Sequence, residues 1–348
     1  MWPYIIKRLL LMVPTLLGVM TITFVIIQFV PGGPVEQILY QLKGRNTMTE
    51  ASGSSGPQKN NEIDAQQLQE IRTLYGFDKP PLERFLMMIK RFAVFDLGES
   101  YYHHKSVLEL VKSKLPVSIS LGLWSFFLIY LISIPLGIKK AIRAGSRFDF
   151  ISSLVILIGY AIPGFVLGVL LLVLFGGGSF WQLFPLRGLT SENWEQLSLI
   201  GKIFDYLWHL VLPITAYVIG SFAIVTILTK NVFLEEIGKQ YVLTARAKGL
   251  SEKSVLWRHI FRNAMIPLVT GFPAAFVGAF FSGSLLIETL FSLDGLGLLS
   301  YEAVIRRDYP VVLGTLYLFT LIGLVVRLLS DLCYVLVDPR IQFSAMTR

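Results

Sequence analysis

Six near-continuous apolar runs dominate the chain, at residues 9–30, 117–138, 150–175, 208–229, 264–290 and 311–337. None alternates like a half-buried strand, and none shows the narrow stripe of a surface helix. Apolar on all sides and roughly 20 residues or longer, they read as membrane-spanning helices. The first is about 22 residues, or ~33 Å of helix, longer than the apolar part of a leader, so it spans and no cleavable signal peptide is read. Pro31-Gly-Gly-Pro34 stops this first helix, Pro163-Gly164 is expected to bend the third, and Pro267 and Pro273 fall in the fifth. The pattern predicts an all-α polytopic membrane protein with six transmembrane helices.

Composition agrees, with 54% hydrophobic residues and a mean hydropathy of +0.63. The net charge of +8 does not point to nucleic acid, because the basic residues sit in short loops beside apolar runs. Residues 139–149 carry four Lys or Arg against one acid, and residues 230–263 carry seven against three. The segments 176–207 and 291–310 each carry two against three. Positive loops stay in the cytoplasm, so the alternation puts both termini inside the cell. Cys333 is the single cysteine, so no internal disulfide and no cysteine metal cluster is expected.

Three parts follow from this map: residues 1–34, the N-terminus and first transmembrane helix; residues 35–114, a periplasmic helical region; and residues 115–348, a five-helix core with a cytoplasmic loop at 230–263. The middle part holds 11 basic and 10 acidic residues, a balance suited to the outer side. Residues 45–61 are rich in Ser, Gly, Asn and Thr and read as a flexible insertion. Helical spacing then appears at Leu68, Ile71 and Leu74, and again at Leu82, Phe85, Leu86 and Ile89. This small domain is either a contact for a soluble partner or a packing cap. Phe180, Trp181, Phe184, Trp194 and Trp208 would suit an aromatic belt at the membrane boundary.

The 241–267 stretch is polar, basic and longer than a connection requires. Ala245, Ala247 and Gly249 are small, so another surface can approach closely. Gly249 suits a helix C-terminus, since glycine adopts positive φ without steric cost. Ser251 suits the N-cap of the next helix, and Glu252 the positive end of its dipole. Leu250, Val255, Leu256 and Trp257 then present apolar bulk, rimmed by Lys248, Lys253 and Arg258, which reads as a docking surface. The plainer alternative is an ordinary basic cytoplasmic loop.

The run Thr244-Ala-Arg-Ala-Lys-Gly-Leu-Ser251, followed by His259 and Arg262-Asn-Ala264, resembles the coupling loop of ABC importer permeases of the dipeptide/oligopeptide branch. The general coupling-loop pattern of such permeases is kept only at Ala245 and Gly249; the peptide-branch version is matched closely. Arg8-Leu-Leu10, Pro14-Thr-Leu-Leu-Gly-Val19 and Asp96-Leu-Gly-Glu-Ser100 are similar to the same family, with Gly33 where it has Asp. So is Gly283–Gly297 with Tyr301–Pro310, where Asp294 replaces a Pro. The 45–61 insertion is similar to that of permeases for microcin C and oligopeptides.

The resemblance implies a type I importer permease that works with a sister permease, ABC ATPase subunits and a periplasmic peptide-binding protein, moving peptide across the lipid bilayer. ATPase coupling would fall to Ala245, Ala247, Gly249, Leu250, Ser251, Glu252, Val255 and Leu256. Glu288, Asp294, Gly295 and Gly297 would form an outer gate or turn, with the two glycines making a re-entrant bend. Glu288 is costly if buried unpaired, so it either has a partner in that gate or reaches water from a helix end. Arg327 and Asp331, four apart, would form an intramembrane ion pair near the cytoplasmic side.

No phosphate-binding Gly-x-x-x-x-Gly-Lys-Ser/Thr run occurs, so ATP and Mg are expected on the partner subunits and no cofactor on this chain. No zinc-binding helix or paired-cysteine motif occurs, and no nucleophile, base and orienter assemble, so neither a catalytic residue nor a metal site is expected. A competing reading is an ion- or proton-coupled secondary transporter acting alone. It calls for relay residues at mid-membrane and inverted repeats, and only Arg327, Asp331 and Glu288 are charged near spans.

Overall fold

In the computed structural model, residues 2–29, 79–176, 180–281 and 285–337 are described. The expected insertion at 45–61, the helical spacing from Leu68 to Leu74 and the stop at Pro31-Gly-Gly-Pro34 lie outside them. The described residues are helical, with no strand beyond one isolated bridge, Glu99 to Ser106. The long helices are α1 (Trp2–Phe29), α2 (Pro81–Ala93), α3 (Val107–Ile142), α4 (Arg147–Ala161), α5 (Gly164–Leu171) and α6 (Leu199–Ile237). They continue with α7 (Gln240–Ala247), a broken helical run over residues 252–264, α8 (Ile266–Phe281), α9 (Leu285–Leu290), α10 (Leu296–Ile305) and α11 (Tyr309–Val337).

Four of these, α1, α3, α6 and α11, are long and apolar enough to cross a membrane. The third expected span is broken: α4 and the run that begins with α5 meet at 91° across Ile162 and Pro163. Proline at the break has no N–H and fixes its own φ, and it disfavours helix at the residue before it. The fifth expected span holds α8 and α9, on either side of residues 282–284, which are not described.

Two units partition the chain. In the one built mainly from Lys114–Leu299, two apolar cores form. The first gathers Leu121 of α3, Leu210, Ile214 and Ala216 of α6, Ile287 of α9, and Phe291 and Leu293 after it. The second gathers Ile138 and Ala141 of α3, Phe233 of α6, Val242 and Ala245 of α7, and Val255, Ile260 and Ala264. Phe184 stacks on Trp208 at 4.4 Å, and the Trp208 indole donates to the Leu183 carbonyl at 2.9 Å, so these aromatics pack on one another.

The other unit, Leu9–Ser113 and Ser300–Leu321, is organised by α2 and the turn after it. α2 begins with Pro81, carries Glu83 in its first turn and Lys90 and Arg91 in its last, matching the helix dipole at both ends. Arg91 then pairs with Asp96 at 2.7 Å, and Asp96 accepts from the Gly98 amide at 3.1 Å. Leu97 is buried, and the Ser100 hydroxyl and Tyr101 amide both donate to the buried Asp308. The Asp96–Ser100 motif is thus a turn that seats one apolar and two polar anchors.

Candidate functional site

The segment singled out in the sequence is a helix, a glycine turn and a second helical run. α7 ends at Ala247, and Gly249 has φ +76°, the left-handed value expected of a helix-terminating glycine. Its amide donates to the Arg246 carbonyl at 2.9 Å. Ser251 caps the next helix, accepting from the Ser254 amide at 3.4 Å. Glu252 does more than face a dipole: it pairs with Arg246 through two hydrogen bonds of 2.9 and 3.1 Å, strapping the helices across the turn. Both side chains are exposed, so this strap sets geometry more than stability.

The eight residues expected to form one docking face separate into two groups. Ala247, Gly249, Leu250, Ser251 and Glu252 are exposed, and Leu256 is half-buried. Ala245 and Val255, in contrast, lie in the second apolar core. Val255 is fully buried at the head of a wide π turn over residues 255–260, which sequence periodicity does not foresee. They are the root of the projection rather than its surface. Trp257 stays half-exposed on Phe261, beside a groove of about 550 Å³ that also touches Ile138, Lys139 and Arg143.

A buried ionic cluster holds this end of the fold. Lys140, at the end of α3, is 1% exposed and donates to the Asp149 carbonyl and to the Ser152 and Ser153 hydroxyls at 2.7–2.9 Å. It also meets the Asp149 carboxylate at 3.0 Å. Lys230 of α6 reaches both oxygens of that carboxylate at 2.8 Å, and the Gly145 amide donates at 3.1 Å. The Lys230 hydrogen bonds, then those of Lys140 and Gly145, hold the Asp149 carboxyl well below the usual carboxylate range against its burial. Loop charge counting saw these residues only as orientation signals. Asp149 three places after the cap Ser146 was the available clue, a helix-start box. Lower on α6, Glu236 is buried, and Tyr241 and Lys239 donate to its two oxygens.

The expected outer turn is tightly built. Glu288 is fully buried and accepts from the Leu298 amide at 2.7 Å, while Ser118 accepts from the Leu296 amide at 2.9 Å. Both cap the N-terminus of α10. The reading of Glu288 as a carboxylate reaching water is therefore corrected: it turns inward because helix-start N–H groups need an acceptor. Gly295 packs against it, and a Cβ there would lie 2.7 Å from the Glu288 carboxyl carbon. Gly297 is not part of the bend but sits in the first turn of α10. Asp294 pairs with Lys114.

The expected pair of Arg327 and Asp331 is also corrected. Asp331 is held by Arg8 at 2.9 Å and by the Tyr4 hydroxyl at 2.8 Å, while Arg327 is exposed. Spacing of four puts two residues on one helix face, but a tertiary partner from α1 is nearer.

The family model for the binding-protein-dependent transport system inner membrane component matches residues 133–343, which include the helix–turn–helix segment, the ionic cluster and the outer turn. The chain belongs to this family. It is a membrane permease component of an ABC transporter. It is 53% identical to a peptidoglycan transport system permease protein, YejB, of Agrobacterium fabrum, over 99% of both chains. It is 32% identical to an oligopeptide transport system permease protein, AppB, of Bacillus subtilis, over 98% of this chain and 99% of that one. Among solved structures it is similar to a chain of the MetNI methionine ABC transporter in an inward-facing form. That likeness has a TM-score of 0.50 and 16% identity, and covers 66% of this chain and 97% of the other. It supports the fold.

Proposed function

We propose that this permease carries peptides inward across the cytoplasmic membrane, driven by ATP that separate ABC subunits hydrolyse with Mg. Its partners would be a sister permease, those ATPases and a periplasmic peptide-binding protein, with both termini cytoplasmic. The observation that carries the reading is the exposed, strapped turn Ala247–Glu252 standing on a buried apolar root. A turn of that kind transmits a push without deforming. Ala247, Gly249, Leu250, Ser251, Glu252 and Leu256 would meet the ATPase; Ala245 and Val255 would hold the turn in place. Motion would pass along α6 and α8 to the outer turn at Glu288, Asp294 and Gly295, and to Gly297 in the helix that follows it.

Peptides are favoured as cargo because the relatives that match along their full length are named for oligopeptide and peptidoglycan transport; peptide-like antibiotics such as microcin C fall in the same chemical class. The test is isolation of the complex from native membranes in mild detergent, with subunits identified and ATP turnover measured. A second permease and P-loop subunits should co-purify, and peptide uptake into vesicles should need ATP. Uptake by this chain alone, driven by an ion gradient, would overturn the reading in favour of a secondary transporter.

A further inference from the structure

A cavity of about 600 Å³ lies among α3, α5, α6, α8 and α9. Its position is central: it takes Ser125 to Tyr130 from the middle of the 36-residue α3, and Ala216 to Val225 from the middle of the 39-residue α6. At one side it is bounded by Leu286 and Ile287, adjoining the buried Glu288 of the outer turn. Its described lining holds four hydroxyls, on Ser125, Tyr130, Tyr217 and Ser221, and no charged group. The Ser125 hydroxyl is fully buried and has no hydrogen-bond partner among the described residues. An unsatisfied buried hydroxyl costs about 1–3 kcal/mol, which a folded protein keeps only with reason.

Two more features bear on the occupant. The break between α4 and α5 opens here, since Gly164 and Phe165 line the cavity. The first N–H groups of a helix have no intrahelical acceptor, and broken helices at membrane depth are tolerated where they face a cavity or are buried in protein. One wall is aromatic: Phe126 and Tyr130 line it with ring centres 4.7 Å apart, and Phe272 and Phe276 pack against Phe126 at 4.5 and 5.1 Å. Helix-start donors, hydroxyls that both donate and accept, and a neutral aromatic wall match a peptide's amide groups and its uncharged side chains. They do not match an ion, which would need fixed charge or a carbonyl cage.

Resting on the reading of the chain as a peptide permease, we propose that this cavity is a cargo-contact site within the chain. It would hold a peptide main chain on Tyr130, Ser221 and the start of α5, in front of the buried Ser125, and limit side-chain bulk by the space beside Gly278. A Cβ at Gly278 meets no atom of the described residues within 4 Å, so a side chain there grows into space that they leave open. A Cβ at Gly164, by contrast, would lie 2.6 Å from the Ala216 carbonyl oxygen, so that glycine is needed for packing.

The experiment uses the intact complex in vesicles with trialanine and triphenylalanine, which differ in bulk but not in length or charge. Gly278→Leu should lower ATP-driven uptake of triphenylalanine about tenfold and leave trialanine within about twofold, with the complex assembled. Equal loss for both peptides, no loss for either, or failure of the sister permease to co-purify would overturn the assignment; the last would make the cavity a subunit contact. As a second reading, a benzophenone side chain at position 130 should cross-link to bound peptide, and one at the exposed Leu131 should not. Peptide captured at neither position during active uptake would also overturn it. If the unmutated complex takes up neither peptide with ATP, the peptide reading itself fails, a different result from uptake without a bulk effect.

Discussion

Gly249 and Gly295 each stand at a turn next to a helix, and opposite physical reasons put glycine there. Gly249 has positive φ and open space where a Cβ would go. Gly295 does not have positive φ; it is glycine because the buried Glu288 carboxyl fills the place of a side chain. The inner turn is free at its surface and anchored by its root. The outer turn is closed in on itself, with a carboxylate and a serine capping one helix. Under the proposed function, the open surface of the first turn suits contact with a partner and the density of the second suits a seal. Both descend from the same helical unit, so the contrast is one of environment rather than of fold.

The largest expected effect comes from opening the buried ionic cluster of Lys140, Asp149 and Lys230. Asp149→Ala leaves Lys140 buried without its carboxylate and should destabilise the chain by about 3–5 kcal/mol, seen as lost complex in mild detergent. Because the folded carboxyl is held below its unfolded value, the cluster's contribution is fully present above about pH 4. It is lost only as pH falls further, toward the lowered value. Thermal stability of the complex between neutral pH and mild acid should therefore not report on Asp149; a steep loss across that interval would put the titrating group elsewhere.

Gly295→Ala comes next. A methyl group forced against a fully buried side chain should cost about 1–3 kcal/mol and disturb the cap on α10, with uptake falling while the inner turn still supports ATPase binding. Gly249→Ala should cost about 1–2 kcal/mol through backbone strain alone, whereas Gly249→Asn, a residue tolerant of positive φ, should cost less. If Ala and Asn behave alike at 249, strain is not the reason for glycine there. The smallest effect belongs to Glu252→Ala. Loss of an exposed pair should change stability by less than about 1 kcal/mol, yet the turn loses its strap and uptake per ATP hydrolysed should fall.

These contrasts also show what the sequence could tell. The apolar runs, the Gly249 turn, the Ser251 cap and the break near Pro163 are local, set by residue type within a few positions, and so are legible. The division of Ala245 and Val255 from Leu250 is not, because the side of each short helix that faces the core is set by Ile138, Ala141 and Phe233, which come from distant elements. Asp331 pairs with Arg8 of α1, which only tertiary folding brings near, whereas the partner of Glu288, the Leu298 amide, lies ten positions on, across a turn whose direction residue types alone do not give. The Lys140–Asp149–Lys230 cluster was hidden for the same reason: Lys230 lies 81 positions from Asp149.

The most direct measurement is site-specific cross-linking within the assembled complex, with Cys333 replaced by Ser and single cysteines placed at Ala247, Leu250 and Ala245. The account predicts cross-links from positions 247 and 250 to a P-loop subunit, strengthened or weakened by ATP, and none from the buried position 245. Active, ATP-driven uptake with no cross-link from either exposed position would contradict the claim that this turn meets the ATPase.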